Sequence, residues 1–175
     1  MVKIVSLATL GTSEVESLLD AAFGADRHTR TAYRIRSGMP QIDELSFAAC
    51  KDGALIGSLQ SWPVALEGIG QSVPLVLVGP VAVQPDLQRG GIGTALMRAL
   101  LDAAPIVGAD AMTMIGDPEY YDRFFGFSNA YTAGWGLPGP FEQRRLLARI
   151  TRPGGLPPTG MLGPDPAFAQ KAIAA

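Results

Sequence analysis

The sequence contains few of the features that mark secreted, membrane or nucleic-acid-binding proteins. Its one cysteine, Cys50, excludes an intramolecular disulfide and is typical of a reducing compartment. Its formal net charge is only −2, and this mildly acidic balance argues against a nucleic-acid binder, which carries a basic patch. The longest apolar run, residues 73–83, is interrupted by Pro74 and Gly79-Pro80 and falls well short of the ~20 residues that span a bilayer. We therefore expect a soluble cytoplasmic protein.

Enough apolar material is present for one folded domain. Hydrophobic residues make up 47% of the 175 residues, a share and a length that suit a single packed core. From Arg152 onward the sequence is rich in proline and glycine, which indicates a tail that lies on the surface or is disordered. We predict one domain over residues 1–151 and a tail over residues 152–175.

Helical and strand patterns alternate along the first half of the chain. Ser13 and Glu16 have the spacing of a capping box, which predicts that a helix begins here and ends near Gly24. The turn sequence at residues 51–53 lies between two apolar segments, as in a β-hairpin. Residues 75–83 have the composition of a buried strand. This order of elements predicts a mixed α/β (α+β) protein.

Gly79-Pro80 is an unusual pair to find inside a buried strand. Proline donates no hydrogen bond to a neighbouring strand, so we expect this strand to bulge or splay from its neighbour here. An ordinary proline in an edge strand is the alternative.

A short helix is predicted over roughly Pro118 to Phe125. Asp117 has the position of its N-cap, Pro118 is its first residue, and Gly126 ends it after Phe125. Apolar strand patterns lie before it, at residues 109–115, and after it, at residues 130–135 and 144–151. This helix therefore follows directly from a strand.

The stretch QPDLQRGGIGTALM, residues 84–97, joins a cationic glycine turn to an amphipathic helix. A helix N-terminus carries unpaired N–H groups and about half a positive charge. Gly90, Gly91 and Gly93 leave the approach to these groups open, and Arg89 adds a full positive charge. The combination predicts an anion site, most naturally for phosphate, with a connector that binds no ligand as the alternative.

Two common phosphate motifs do not fit this turn. A P-loop requires a lysine after its second glycine, and the chain has no such string. A dinucleotide-binding fingerprint can be started at Gly91 and Gly93, but Leu96 then occupies the place of its third glycine.

A third pattern matches closely. Residues 88–93 fit the Q/R-x-x-G-x-G/A signature of the GNAT superfamily of acyl-CoA-dependent N-acetyltransferases, and the surrounding VGPVAVQPDLQRGGIGTALM resembles that family's strand, turn and helix. The stretch YYDRFFGF, residues 120–127, resembles its later Y-x-x-x-G-F helix, and GDPEYY before it is similar to a bacterial branch of predicted acetyltransferases. The resemblance covers roughly residues 3–151. It implies a mixed, mostly antiparallel sheet with splayed central strands, flanked by helices.

The resemblance also implies how acetyl-CoA is bound. Backbone groups of Val81 and Val83 would bind the pantetheine, and Gln88 would brace the turn or donate to a phosphate. The pyrophosphate would lie on N–H groups of the turn and the first helical turn, namely those of Arg89, Gly90, Gly91, Ile92, Gly93 and Thr94. No metal is implied.

The implied reaction is direct attack of a primary amine on the acetyl thioester. Tyr121 matches the family's tyrosine, whose phenol can hydrogen-bond or protonate the departing thiolate. Four residues separate Tyr121 from Gly126 where the family usually has three, so Tyr120 is the alternative catalytic residue. Both tyrosines could instead be packing residues.

The sequence alone does not determine the acceptor, the oligomeric state or the general base. A small-molecule or a protein amine would serve as acceptor, a homodimer is not excluded, and a non-catalytic acyl-CoA-binding module of the same fold is the alternative function. Trp62 and Trp135 are candidates for the acceptor side or for the core, and Arg123 for a coenzyme phosphate contact. No general base can be chosen among the candidates His28, Glu44, Asp117, Glu119 and a chain of waters.

Overall fold

The computed structural model describes residues 1–168. Within these residues the helices are α1 (Thr12–Phe23), α2 (Thr31–Ile35), α3 (Ile92–Ala103) and α4 (Pro118–Phe125). The strands are β1 (Val2–Ser6), β2 (Phe47–Lys51), β3 (Ala54–Gly68), β4 (Gln71–Val83), β5 (Ala111–Ile115), β6 (Gly134–Gly136), β7 (Leu146–Ile150) and β8 (Thr159–Pro164). The sheet is mixed and mostly antiparallel, and helices flank it, as the sequence predicted.

The chain forms two compact units. Each of the long strands β3 and β4 has one part in the first unit and the other part in the second. Among the described residues, the first unit contains residues 1–29, 41–61 and 78–108, and the second contains residues 30–40, 62–77 and 109–168. In the first unit the strand order is β1-β2-β3-β4. The strand β2 is antiparallel to β1, with Lys3 opposite Cys50, and antiparallel to β3.

Helix α1 covers one face of these strands in the first unit. Its apolar residues recur at the spacing of one helical face, so that they are buried together. The buried cluster that results consists mainly of Val15, Leu18 and Leu19 of α1 with Ala48 and Ala82 of the strands.

Helix α3 covers the opposite face. Successive strand residues point to opposite sides of a sheet, so Ala49 points away from the face to which Ala48 belongs. Gly57 is paired with Ala49, and a Cβ built on Gly57 would lie 2.7 Å from Cγ2 of Ile92 and 3.3 Å from Cδ1 of Leu96. Because α3 packs this closely on β3, its N-terminus is held at the end of β4.

The second unit contains the other strand pairs and its own core. Strands β4 and β5 are parallel, with Val76 opposite Met112 and Leu77 opposite Thr113, and β7 is antiparallel to β5. The register between β4 and β5 is two residue pairs long and stops just before Gly79-Pro80, where the sequence predicted an interruption. The core of this unit contains Ile35, Val64, Leu66, Leu75, Leu77, Trp135, Leu137, Leu146, Ala148 and Leu162.

The predicted capping box at the start of α1 is wrong. The helix begins at Thr12, and its N-cap is Gly11, which has an extended backbone and no capping side chain. Ser13 therefore lies inside the first turn, where its carbonyl oxygen accepts a hydrogen bond from the Ser17 hydroxyl. Glu16 forms an ion pair with Arg27, a buried residue after the helix.

Part of the predicted tail is built into the sheet. Strand β8 pairs antiparallel with β3, where Leu162 is opposite Leu66, and parallel with β6. Gly160 makes the close approach feasible, since a Cβ there would lie 2.7 Å from the Glu67 carbonyl oxygen. The expectation of a surface or disordered segment is thus corrected for Thr159–Pro164, whereas the domain boundary at residues 151 and 152 stays a prediction. Residues 169–175 of the predicted tail lie outside the described residues.

Candidate functional site

The glycine turn before α3 has left-handed backbone at two of its residues. Arg89 has φ 74° and Gly91 has φ 76°, whereas Gly90 between them does not have a positive φ. A positive φ is uncommon for a residue with a side chain and is enriched at functional sites. Left-handed residues also occur in the backbone concavities that bind anions. This backbone therefore favours an anionic ligand.

The N-terminus of α3 opens toward solvent at this turn. Its N-cap is Gly91, and no side chain caps the helix. A Cβ built on Gly91 would have no atom within 4 Å, and one on Gly93 would meet only Cγ2 of Val83, at 4.0 Å. The exposed Arg89 adds positive charge to that of the helix dipole. Space, N–H donors and charge thus favour an anionic ligand here.

The other predicted coenzyme contacts lie beside this turn in the first unit. Val81 and Val83 are half-buried at the end of β4, and the buried Ala82 between them points into the core under α1. Gln88 is exposed directly after the 3₁₀ turn Pro85–Leu87, so its amide is accessible to a ligand. Its role in bracing the turn or donating to a phosphate stays a prediction.

Tyr121 lies in the second unit, where its ring packs on a glycine. Its backbone N–H donates to the Asp117 carbonyl oxygen at 2.9 Å in the first turn of α4. A Cβ built on Gly116 would lie 2.6 Å from both Cδ2 and Cε2 of the ring. Burial, the largest cause, and the charges of Tyr120 and Asp117 raise the pKa of the Tyr121 phenol to about 12, against a lowering effect of Arg145. The phenol is therefore protonated throughout the neutral range.

The extra residue in this helix is accommodated at its C-terminal end. The Gly126 N–H donates to the carbonyl oxygens of both Asp122 and Tyr121, and the Phe127 N–H also donates to that of Tyr121, at 3.2 Å. This pattern is typical of a widened last turn, and the helix begins at Pro118 after Asp117, as the sequence predicted. The choice between Tyr121 and Tyr120 stays a prediction. Tyr120, the alternative, is 36% exposed, and its ring lies edge-on to Tyr121 at 4.9 Å.

Two of the candidate bases are paired with arginines. Arg145 Nε lies 3.4 Å from Asp117 Oδ1, and Arg144 forms an ion pair with Glu119. Asp117 has the predicted N-cap position, although its side chain makes no capping hydrogen bond. Glu44 is exposed in the 3₁₀ turn Asp43–Leu45, and the His28 side chain is 59% exposed. This geometry selects no general base.

The sequence interpretation missed a cationic and aromatic stack in the second unit. The Arg36 guanidinium lies 3.7 Å from the centre of the Trp62 ring and 4.3 Å from that of Tyr33. The i, i+3 spacing of Tyr33 and Arg36 was a weak local signal, but no sequence pattern links them to Trp62. Trp135, by contrast, is buried in the core.

Helix α2 also binds the loop after β6. The Thr31 hydroxyl donates to the Pro140 carbonyl oxygen at 2.6 Å, and Arg34 donates to that of Pro138 at 3.2 Å. Gly139 lies so close to these side chains that a Cβ there would be 2.7 Å from Thr31 Oγ1. The loop is thereby fixed on α2.

The described part of the chain has neither a membrane-spanning helix nor a cluster of metal-ligating side chains. Among its helices, none has the length and apolar character that crossing a bilayer requires. In the same residues, no three histidine, cysteine, aspartate or glutamate side chains are arranged to hold a metal ion.

Comparisons with known proteins agree with the turn and the fold. A family model described as Acetyltransferase (GNAT) family matches residues 12–127. An uncharacterized N-acetyltransferase of Escherichia coli, YjhQ, is 23% identical over 129 residues, which cover 74% of this chain and 70% of that protein.

Two solved structures share the fold over nearly the whole chain. The GNAT family N-acetyltransferase YhbS from Escherichia coli, in complex with CoA, has a TM-score of 0.71 at 22% identity and covers 97% of this chain and 91% of its own. A GNAT family acetyltransferase from Brucella melitensis, in complex with acetyl-CoA, has a TM-score of 0.66 at 24% identity. The match covers 96% of this chain and 98% of the Brucella chain. With the family match extending over more than half of its residues, the chain belongs to the GNAT family and is an acetyl-CoA-dependent N-acetyltransferase.

Proposed function

We propose that this enzyme transfers the acetyl group of acetyl-CoA to a primary amine, on a small molecule or a protein, by direct attack of the amine on the thioester. The observation that carries the proposal is the glycine turn at residues 89–91, which has positive φ at Arg89 and Gly91 and is open in front of the α3 N-terminus. A diphosphate matches the N–H donors of a helix N-terminus with a neighbouring arginine.

The turn would hold the coenzyme through its backbone and two side chains. The N–H groups of the turn and of the first helical turn would bind the pyrophosphate, with Arg89 supplying charge and Gln88 an amide donor. Backbone groups of Val81 and Val83 would bind the pantetheine as a further strand would. The N–H donors belong to Arg89, Gly90, Gly91, Ile92, Gly93 and Thr94.

The chain would assist the reaction by orientation and by hydrogen bonding. When bound, acetyl-CoA supplies an activated acetyl thioester. The Val81 N–H would donate to the thioester carbonyl oxygen, on which negative charge develops as the amine attacks. Holding both reactants in place makes the attack effectively unimolecular.

Tyr121 would stabilise the departing thiolate. Its pKa of about 12 lies more than three units above that of a thiol, about 8.5, so complete proton transfer to the sulfur would be uphill. A neutral phenol remains a good hydrogen-bond donor at every physiological pH. We therefore assign Tyr121 the role of hydrogen-bond donor to the sulfur, with Tyr120 as the alternative.

A non-catalytic acyl-CoA-binding module of the same fold is the contrasting outcome against which the proposed reaction is tested. Both functions predict acetyl-CoA binding, and only the proposed reaction predicts turnover. Whether the chain acts as a homodimer is a separate prediction that either function allows.

Two measurements test the proposal. Acetyl-CoA at 100 times its Kd should stabilise the protein by about 2.7 kcal/mol, seen as a higher Tm, whereas NAD and ATP should do much less. A screen for acetyl-CoA consumption over small amines, amino acids and peptides should then find an acceptor. Equal stabilisation by NAD would contradict the proposed ligand, and binding without turnover of any amine would favour the module.

A further inference from the structure

Gly116 and Tyr121 are in direct contact at the start of α4. Gly116 is buried, and the edge of the phenol ring occupies the space that a side chain at 116 would need. Gly116 does not have a positive φ, so its backbone is one that any residue can adopt. Contact with the ring, more than backbone conformation, is therefore what requires glycine here.

Arg145 holds the same segment at two points. Its carbonyl oxygen accepts a hydrogen bond from the Gly116 N–H at 2.9 Å. Its guanidinium lies 3.4 Å from the Asp117 carboxylate, and Asp117 is the N-cap of α4. The Asp117 carbonyl oxygen in turn accepts the Tyr121 N–H. One residue thus contacts both members of the Gly116–Asp117 pair that places Tyr121.

We propose that Arg145 and Gly116 are positioning residues for Tyr121: Gly116 provides the surface on which the ring lies, and Arg145 holds the Gly116–Asp117 segment and places positive charge near the phenol. The inference rests on the proposed role of Tyr121 and extends it to Gly116 and to Arg145, which lies outside the signature motifs.

The electrostatics of the cluster agree with the contacts. Asp117 raises the pKa of Tyr121, and Arg145 lowers it, so the arginine opposes the effect of the carboxylate that it pairs with. Loss of the Arg145 side chain would leave Asp117 unopposed beside the phenol and would weaken the phenol as a donor. The hydrogen bond from the Gly116 N–H to the carbonyl oxygen of residue 145 would be kept in such a variant. The substitution therefore tests the side chain of Arg145 alone.

The test compares two neighbouring arginines. Arg145→Gln, Arg145→Lys and Arg144→Gln are each combined with wild-type Tyr121 and with Tyr121→Phe, and kcat, the KM for acetyl-CoA and its Kd by calorimetry are measured. Arg144 is the matched control, because it lies in the same 3₁₀ turn, Gln143–Arg145, and pairs with Glu119 instead. Each variant's Tm is recorded to monitor folding.

We expect Arg145→Gln to lower kcat about five-fold and to leave the acetyl-CoA Kd unchanged. A five-fold fall in kcat is typical of the loss of one partly exposed charge interaction. Arg145→Lys should recover most of the loss, and Arg144→Gln should have little effect. In the Tyr121→Phe background the Arg145→Gln effect should disappear, because the two residues act through one phenol. Equal losses of kcat for Arg145→Gln and Arg144→Gln would overturn the inference. An Arg145→Gln effect on kcat that is as large with Tyr121→Phe as with wild-type Tyr121 would overturn it as well.

Gly116→Ala is an independent second variant. The added methyl group must displace the ring, and a displacement of about 1 Å can cost on the order of 10²-fold in rate. We expect kcat to fall while the acetyl-CoA Kd is kept. A folded Gly116→Ala protein with wild-type kcat would contradict the inference, whereas an unchanged kcat in Tyr121→Phe alone would refute the proposed role of Tyr121 itself.

Discussion

Trp135 donates a hydrogen bond from its indole nitrogen to the carbonyl oxygen of Pro157, at 3.3 Å. The tryptophan is buried, so this bond satisfies its one polar group without solvent. The partner comes from the proline- and glycine-rich segment after β7, which then continues into β8. This segment is therefore joined to the core of the second unit by a side-chain contact as well as by strand pairing.

The burial of β8 predicts that its apolar residue is a stability determinant. Leu162 is fully buried, so Leu162→Ala should lower the free energy of unfolding by about 3 kcal/mol, within the range for a buried leucine. Met161→Ala is the matched control on the same strand, since Met161 is 49% exposed, and should change stability much less. Urea unfolding measures both, and equal small effects would contradict the integration of β8.

The open turn predicts that Gly91→Glu abolishes acetyl-CoA binding. The new carboxylate would enter the space in front of the α3 N-terminus and repel a diphosphate. Gly108→Glu is the matched control, because Gly108 also has a positive φ, 71°, and nothing within 4 Å of a built Cβ. Both variants should lose similar stability, yet only Gly91→Glu should lose binding by calorimetry. Loss of binding in both, or in neither, would mean that the anion site lies elsewhere.

The contact assigned to Tyr121 predicts a defect in kcat. Tyr121→Phe removes an interaction made mainly in the transition state, so kcat and kcat/KM should fall together by about 10²-fold while acetyl-CoA affinity is kept. Tyr120→Phe should have a much smaller effect. Steady-state kinetics with an identified acceptor measure this. If Tyr120→Phe causes the larger loss, the assignment between the two tyrosines is reversed.

The raised pKa of Tyr121 predicts a loss of stability at high pH. Its pKa is about 12 in the folded protein and about 10 when unfolded, so the folded state binds the proton more tightly. This contribution is fully present below pH 10 and is lost as the pH rises from 10 to 12, by up to about 3 kcal/mol. The stability of Tyr121→Phe should therefore decline less steeply over this range. Denaturant unfolding at several pH values compares the two slopes, and parallel slopes would contradict the pKa shift.

The ion pairs of a buried arginine predict that Arg27 stabilises the first unit. Arg27 is only 2% exposed, and its guanidinium contacts Glu16 and, through Nε at 2.8 Å, Asp20, whose side chains are 43% and 48% exposed. Arg27→Met should lower the free energy of unfolding by about 1 kcal/mol, because the two carboxylates lose their partner but stay solvated. Arg98→Met, at an exposed position on α3, serves as the control. Equal unfolding midpoints in urea for the two variants would show that the ion pairs add no net stability.

The glycine turn and the helix behind it could be predicted because their determinants are local. Glycine allows positive φ at residue 91, and apolar spacing alone predicts α3 behind it. The start of α4 at Asp117 and its end at Gly126 were likewise predicted from the residue types at these two positions. In each case the physical cause lies within a few residues of its effect.

Other local signals were overridden. The Ser13 and Glu16 spacing matched a capping box, but the backbone bends two residues earlier, at Gly11, and Glu16 pairs instead with Arg27. The left-handed backbone of Arg89 could not be read from the sequence either, because arginine has no preference for it.

Only the tertiary structure decided which distant residues act together. Strand β8 has no strand-like periodicity and exists because β3 and β6 supply hydrogen-bond partners on both of its sides. The contacts of Arg145 with Gly116 and Asp117 depend on strand pairing between β5 and β7, which brings the 3₁₀ turn before β7 beside the end of β5. Composition and spacing determine local conformation, whereas these contacts arise from packing between segments that the sequence keeps far apart.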